Sequence, residues 1–463
     1  MKPKASGFFG CSSIKGDVKS MLHKLYRFFI LSLTFLSIIV FTFQIPEAKL
    51  FLGVNVGIMF VILVLYTRGS NRIFYSLFFI FGLILTLLYK IPFSKTLEHL
   101  ASNTIFIALF VCTPLLKIPI EKGRYLDEMV SLIESRNQSN FLYAMTIINF
   151  FLSSFLNLAS IRLLSQLSSK EVKENPITYS AFLSRSFSLA ACWTPYFASF
   201  SVAISYSNGN SLHVIAIGIL LCAIILTTTV LPKLIKLKKS ETVNSNPAKR
   251  GKVIQLFTFL GALLTSITVV DYLIDTNTVV IIILLSVFYS ILWSIFQGSF
   301  RYYLKEVRRI FSQDLSNIRD EAFLFISIGF LSNTIIWLNW KIALPEWKGL
   351  SLISVWMFIF LFIIFVVLIA IMGVHHLVTI TLLTASLNWN QLGIDPVVYA
   401  MLILTSWSLS SMVSPFSAAN LIVSRLAKQK PAKIGLFMNG RYALGVLLFN
   451  TTILTISNYL ISA

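Results

Sequence analysis

The stretch SFSLAACWTPYFAS, residues 186–199, recurs as SWSLSSMVSPFSAA, residues 406–419, and this repetition decides the fold. Each copy places a hydroxyl and a proline inside an otherwise apolar segment, where a proline breaks a helix. A helix broken at corresponding points of two halves is typical of secondary transporters, whose site lies between the halves. The positions that coincide at a constant offset include Ser188/Ser408, Thr194/Ser414 and Pro195/Pro415.

The composition is that of a membrane protein. Apolar residues make up 56% and charged residues 12% of the 463 residues, and several apolar runs approach the roughly 20 residues that cross a bilayer. The formal charge of +20 would suggest nucleic acid for a soluble chain, but cytoplasmic loops of membrane proteins concentrate Lys and Arg. We therefore expect the lipid bilayer, and no nucleic acid, as a partner. A basic N-terminal segment precedes an apolar run without a cleavage site, which favours a retained first helix.

Hydropathy predicts an all-α polytopic membrane protein with about 11 transmembrane helices plus two re-entrant hairpins. The hairpins are assigned to about 141–167 and 349–390, because making either one a full crossing would invert every later loop and mix the basic residues over both sides. With these hairpins, most of the 38 Lys and Arg residues lie on one side. This distribution predicts a multi-pass protein of the cytoplasmic membrane with its N-terminus inside and its C-terminus outside.

Further matches extend the repetition over most of the chain. Ser102-Asn103-Thr104 recurs as Ser332-Asn333-Thr334. An odd number of crossings in each unit inserts the second unit upside down, so the sequence predicts two inverted-topology repeats. The predicted order is a cytoplasmic tail (1–24), a leading helix (25–44), repeat 1 (50–232) with a broken helix (178–206), a basic cytoplasmic linker (233–252), and repeat 2 (253–460) with a broken helix (397–425).

Two connecting segments have an amphipathic helical periodicity. Over residues 298–320, Tyr303, Val307 and Phe311 recur at helical spacing with Arg and Lys residues between them. This pattern predicts a helix that lies on the inner membrane surface. Residues 118–139 are its counterpart in the first repeat.

The two prolines point to a binding site. A proline inside a helix leaves the carbonyl four residues earlier without its usual bond, and here those carbonyls belong to Ala191 and Ser411. At membrane depth they must be met by protein, water or a bound ion. Neutral oxygens nearby suit a sodium ion, although serine is also a routine packing residue between membrane helices. A plain kink explains one such span, but two symmetric spans favour a site. The candidates at the breaks are Thr194, Pro195, Ser199, Ser411, Ser414, Pro415, Ser417 and Asn420.

The predicted hairpins contribute a second group of polar residues. A histidine there would bind an anionic substrate, titrate during proton coupling, or serve only as a satisfied structural residue, and sodium and proton coupling both stay open. Arg162 is the best cationic partner for an anion, whereas Arg185 and Arg441 lie where snorkelling to the interface is the cheaper explanation. The hairpin candidates are Ser153, Ser154, Asn157, Arg162, Gly373, His375 and His376.

The chain lacks the motifs of an enzyme. It contains no HExxH, no GxSxG, no phosphate-binding loop and no loop long enough for a catalytic domain. We expect no enzyme activity and no cofactor beyond a coupling ion. The favoured function is ion-coupled secondary transport of a small anionic solute. The alternatives are an exporter of a neutral oxyacid or drug-like compound, and a membrane-embedded glycan polymerase or ligase, which usually exposes a long loop with basic residues.

The layout resembles the ion transporter superfamily, which includes divalent anion/sodium symporters, citrate carriers and arsenite permeases. The resemblance lies in one leading helix, two inverted units with a hairpin each, and broken helices bearing Thr194-Pro195 and Ser414-Pro415. It implies a substrate and cation site between hairpin tips and broken helices, a homodimer, and an elevator-type mechanism. The chain departs from the symporters at the hairpin tips, where SSFLN and GVHH stand in place of Ser-Asn-Thr. By resemblance the binding roles fall on Ser153, Ser154, Asn157, Thr194, Pro195, His376, Ser414, Pro415 and Asn420.

Overall fold

The computed structural model describes residues 10–125, 127–129, 138–164, 174–236, 251–274, 276–340, 352–387 and 393–462. These residues form helices joined by short turns and contain no β-strand, which confirms the predicted all-α class. Most of the predicted basic linker (237–250) and the outer ends of the predicted hairpins (165–167, 349–351 and 388–390) lie outside the described residues.

The described residues contain twenty α-helices. In chain order they are α1 (Gly10–Phe43), α2 (Pro46–Tyr66), α3 (Ser70–Leu88), α4 (Phe93–Ala101), α5 (Thr104–Cys112), α6 (Lys117–Lys122), α7 (Gln138–Leu156), α8 (Leu158–Leu164), α9 (Pro176–Ala190), α10 (Ala198–Ser207), α11 (Ser211–Lys236), α12 (Gly251–Leu273), α13 (Thr278–Phe296), α14 (Phe300–Gln313), α15 (Arg319–Trp337), α16 (Leu352–Ile371), α17 (His376–Ser386), α18 (Pro396–Val413), α19 (Ala418–Leu426) and α20 (Gly440–Ser462). A π-helical segment, Lys433–Met438, precedes α20.

Eleven helical segments in the described part of the chain are long and apolar enough to cross a membrane. The number equals the predicted count of transmembrane helices, but one of the eleven segments is not the one predicted. Helix α16, the first arm of the second predicted hairpin, qualifies, whereas the first broken helix is divided into two short pieces. At a rise of about 1.5 Å per residue, α16 is about 30 Å long, which matches the hydrocarbon core of a bilayer. The chain is a multi-pass membrane protein.

The chain divides into two units by its internal contacts. The first comprises Met1–Cys112 and Arg301–Trp340, and the second comprises Thr113–Phe300 and Lys341–Ala463. The units do not coincide with the sequence repeats, because each predicted repeat contributes helices to both.

The first unit is held together by aromatic packing and by long-range hydrogen bonds. The Phe60 and Phe79 rings stack with centroids 3.5 Å apart. The buried Tyr26 hydroxyl on α1 donates to the Leu315 carbonyl, at 2.8 Å, in the 3₁₀ turn that follows α14. Helix α1 is thereby fixed against the turn between α14 and α15.

The second unit contains both helical hairpins and both broken helices. The hairpins are α7/α8 and α16/α17, and the broken helices are α9/α10 and α18/α19. Both broken helices end ahead of their prolines, Pro195 and Pro415, and resume three residues after them, at Ala198 and Ala418. The first break, residues 191–197, is longer than the second, residues 414–417. A proline supplies no N–H for the helix ladder, which accounts for both break positions.

Candidate functional site

Each break is bonded to the hairpin of its own repeat. The Thr194 hydroxyl donates to the Ser154 carbonyl at 2.9 Å, and the Ser414 hydroxyl donates to the Ala370 carbonyl at 2.7 Å. Each acceptor lies near the C-terminal end of the first arm of its hairpin, α7 or α16. Since Thr194 and Ser414 are equivalent in the repeat, the same hairpin-to-break bond occurs twice in the second unit.

The carbonyls freed by the prolines are met by the protein itself. The Ser199 hydroxyl donates to the Ala191 carbonyl at 2.9 Å. In the second break, the Asn420 amide nitrogen lies 2.9 Å from the carbonyls of Met412 and Ser414 and 3.4 Å from that of Ser411. A carbonyl has two lone pairs, so these bonds leave a second acceptor position on each oxygen. Sodium binding at the carbonyls of Ala191 and Ser411 stays a prediction.

The two broken helices pack against each other in antiparallel fashion. The Ser180 hydroxyl donates to the Val423 carbonyl at 3.0 Å, and the Ser184 hydroxyl donates to the Asn420 side-chain oxygen at 2.6 Å. Helix α9 therefore contacts α19, and α10 contacts α18. This exchange of halves is the packing expected of two inverted repeats.

Three buried serine hydroxyls, each within about one helical turn of a break, have no hydrogen-bond partner in the described part of the chain. They belong to Ser188 at the end of α9, Ser201 at the start of α10 and Ser410 at the end of α18. Each residue is fully buried. A buried polar group without a partner costs about 1–3 kcal/mol, so three of them around the breaks mark a place where a bound ion, water or solute would be stabilising.

Arg185 lies in the same region, within a network of neutral groups. Its Nε donates to the Asn439 side-chain oxygen at 2.9 Å, and a terminal nitrogen donates to the Met438 carbonyl at 2.6 Å. The guanidinium carbon lies 4.4 Å from the Tyr442 ring centroid. No carboxylate among the described residues pairs with it. The Arg185 guanidinium is held by a neighbouring segment of the second unit, whereas Arg441 is exposed on α20, and snorkelling to the interface stays a prediction for both.

The first hairpin is stabilised by the polar residues at its own tip. The Ser153 and Ser160 hydroxyls lie 2.7 Å apart, and the Ser154 hydroxyl donates to the backbone one turn earlier. Asn157 has a left-handed backbone (φ 50°), and its side-chain oxygen accepts the first N–H of α8 at 2.8 Å. Arg162 is exposed on α8, a helix that packs against α19.

The tip of the second hairpin lies against the second break. Gly373 has a φ of 102°, and a Cβ there would lie 3.4 Å from the Phe416 ring. The His375 Nδ1 accepts the backbone N–H of the second residue of α17 at 3.2 Å, so in this arrangement it carries no proton. The His376 ring meets Trp407 of α18 edge-on, with centroids 4.5 Å apart. Both histidines therefore have structural contacts, and a role in proton coupling stays a prediction.

The remaining predicted residues line the breaks. Pro195 is buried and Pro415 is half-buried. The Ser417 hydroxyl caps α19 by accepting the Asn420 N–H at 3.3 Å. The structure thus brings Thr194 to the first hairpin and gathers Ser411, Ser414, Ser417 and Asn420 in the second break.

Two glycines that sequence reasoning missed allow a neighbouring segment to approach each break closely. A Cβ on Gly218 of α11 would lie 2.5 Å from the Cys192 carbonyl oxygen. A Cβ on Gly435 of the π-helical segment would lie 2.9 Å from the Asn420 side-chain nitrogen and would also strike the Val413 carbonyl. Each break is therefore covered by backbone that only glycine allows to come so near.

Two buried asparagines were also missed. The Asn149 amide donates to the Leu183 carbonyl at 2.9 Å and to the Ser186 hydroxyl at 2.7 Å, which joins the first hairpin to α9. Asn439 links Arg185 to the Met412 carbonyl, at 3.2 Å. An amide inside an apolar segment is the sequence signal for both, since such groups are costly in a membrane unless they are bonded.

No protein family and no curated protein matches the chain by sequence. Among solved structures, the chain is similar to the Alcanivorax borkumensis YdaH transporter, a protein with an unusual topology. The two share 13% sequence identity and a TM-score of 0.52 over 83% of this chain and 97% of the other. This likeness shows that the chain has the fold of a membrane transporter.

Proposed function

We propose that the protein is an ion-coupled secondary transporter that moves a small anionic solute across the cytoplasmic membrane by an elevator-type mechanism. The observation that carries this proposal is the twofold arrangement of hairpin and broken helix, joined by the Thr194 and Ser414 hydroxyls. Helices interrupted in both halves of a transporter supply backbone and side-chain ligands that a continuous helix cannot offer.

The surroundings of Arg185 support the proposal that the solute is an anion. A guanidinium taken out of water is costly unless an opposite charge accompanies it, and the acceptors around Arg185 are neutral. An anion near the breaks would supply that charge. Arg185 donates to two acceptors and retains further N–H groups for a solute.

The coupling ion is sodium or a proton. Sodium is supported by the unpartnered hydroxyls of Ser188, Ser201 and Ser410, which are neutral oxygen ligands beside the breaks. The resemblance to sodium-coupled anion symporters in sequence layout points the same way. Proton coupling would fall on His375 or His376, and the backbone N–H that donates to the His375 Nδ1 fits a neutral His375 ring.

The test is solute flux in proteoliposomes that contain the purified protein. Uptake of small anions, measured under an imposed sodium gradient and separately under a proton gradient, should depend on one of the two and should disappear when that gradient is collapsed. If none of a broad panel of carboxylates and inorganic oxyanions moves in a gradient-dependent way, the proposal is wrong. Gradient-driven movement of neutral oxyacids or drug-like compounds alone would instead identify an exporter.

A further inference from the structure

A cavity of about 380 Å³ in the first unit combines cationic and apolar walls. It lies between α1 and the amphipathic helix α14. Its polar lining is formed by Arg27, Arg308 and Ser312, and its apolar lining includes Leu31, Leu304 and Phe311.

The two arginines have no counter-charge. The Arg27 Nε is buried without a hydrogen-bond partner, and neither Arg27 nor Arg308 forms an ion pair among the described residues. The adjacent Arg309 takes the nearby carboxylates instead, since it lies 2.6 Å from Glu306 and 3.7 Å from Asp314. Two guanidinium groups facing one cavity suit a phosphate or another oxyanion, which they bind through charge-assisted hydrogen bonds.

The apolar side of the cavity favours a lipid over a soluble anion. Leu304, which lines the cavity, is 51% exposed, and Phe28, next to Arg27 on α1, is 65% exposed. In a membrane protein such exposed apolar side chains contact acyl chains, and a basic amphipathic helix lies at the headgroup level. A soluble phosphate would contact only the arginines and would gain nothing from these apolar walls.

The cavity is also a fixed feature of the unit. The Tyr26 hydroxyl, one residue before Arg27, anchors α1 to Leu315 just beyond α14, and the Tyr26 ring stacks on Tyr66 with centroids 5.2 Å apart. The two walls are thus tied together at one end, so that the cavity does not depend on a mobile loop.

We propose that this cavity binds the headgroup of an anionic phospholipid, with Arg27 and Arg308 on the phosphate and the acyl chains leaving along Leu31 and Leu304. The site lies entirely in the first unit and does not rest on the proposed transport function.

The experiment measures thermal unfolding of the full-length protein in detergent with added lipid. Phosphatidylglycerol or cardiolipin should raise the melting temperature by several degrees, whereas phosphatidylcholine, glycerol phosphate and inorganic phosphate should not at the same concentration. The double variant R27Q/R308Q should lose the shift. The matched control R301Q/K305Q removes two exposed charges from α14 outside the cavity and should keep it.

Three outcomes would overturn the proposal. They are an equal shift with phosphatidylcholine, an undiminished shift in R27Q/R308Q, and an equal shift with the soluble phosphates, which would indicate an anion site without a lipid. If R27Q/R308Q does not fold, native mass spectrometry of the wild-type protein still decides. Anionic phospholipid should survive detergent exchange on the protein, and equal retention of anionic and zwitterionic lipids would contradict the site.

Discussion

At the scale of single residues, the hydroxyl and the proline of each break have separate roles. The proline ends the helix, and the hydroxyl one residue earlier binds the hairpin, as in the Thr194–Ser154 bond. These roles follow the sequence repeat. The residues that meet the freed carbonyls do not, because Ser199 does so in the first break and Asn420 in the second. The sequence could therefore predict which carbonyls become free, but not which side chain bonds to them. That depends on the orientation of the helix that follows each break.

Substituting Asn420 by alanine should destabilise the protein more than substituting Ser199 by alanine. Asn420 is bonded to the carbonyls of Met412 and Ser414 and to the Ser184 hydroxyl, whereas Ser199 meets one carbonyl. Each buried group left without a partner costs about 1–3 kcal/mol. Thermal unfolding of the purified variants measures the order, and equal melting temperatures would show that the Asn420 bonds contribute little.

Arg185 should determine the affinity for the transported anion. Truncating one member of a buried charge pair costs about 2–5 kcal/mol, so Arg185→Gln should weaken the apparent affinity about thirtyfold or more. Arg185→Lys keeps the charge but loses the planar donors, so it should recover only part of the uptake. The measurement is anion uptake against concentration in proteoliposomes.

The matched control for Arg185 is Arg441→Gln. Arg441 is an exposed arginine of the same unit, and its removal should leave uptake unchanged. Unchanged apparent affinity in a folded Arg185→Gln protein would show that Arg185 has a structural role only.

At the scale of elements, the prolines predicted both breaks correctly, because the missing N–H acts locally. The long first arms of the hairpins and the partners of Arg185 were not predictable in the same way. Arg185 lies in the second half of α9, and Asn439 is 254 residues away along the chain, so only the approach of the π-helical segment brings the two side chains together. The same limit applies to Gly218 and Gly435. Their role depends on the break residues that pack against them, which lie far away in the sequence.

Substituting Gly218 or Gly435 by alanine should disturb the breaks. The added methyl group would meet the Cys192 carbonyl or the Asn420 amide, so each variant should lose stability by about 1–3 kcal/mol and should reduce transport. The controls are Gly261→Ala and Gly445→Ala, at helical positions with open space around the new Cβ. There, alanine should be neutral or stabilising by up to about 1 kcal/mol. Melting temperatures that fall equally in all four variants would contradict the close approach.

At the scale of the whole molecule, the two units cut across the two repeats, so that each unit draws helices from both halves of the chain. An elevator mechanism needs one unit that moves across the membrane with the site and another that stays fixed. Both hairpins and both breaks lie in the second unit, which makes it the carrier in this proposal.

The proposed homodimer is tested by mass. The protein in detergent should have a protein mass twice the 52.2 kDa of one chain, measured by light scattering with the detergent contribution subtracted. The mass should hold over a dilution series. A single-chain mass at every concentration would contradict a dimer, without affecting the site within the second unit.

The central claim is that the two breaks and their hairpins form the solute site. The most direct test is a cryo-EM structure of the protein with the anion that the flux assay identifies. Extra density within hydrogen-bond distance of Arg185 or of the break residues, among them Ser188 and Ser410, is the predicted result. Density confined to the first unit, or hairpins that do not contact the breaks through Thr194 and Ser414, would contradict the account.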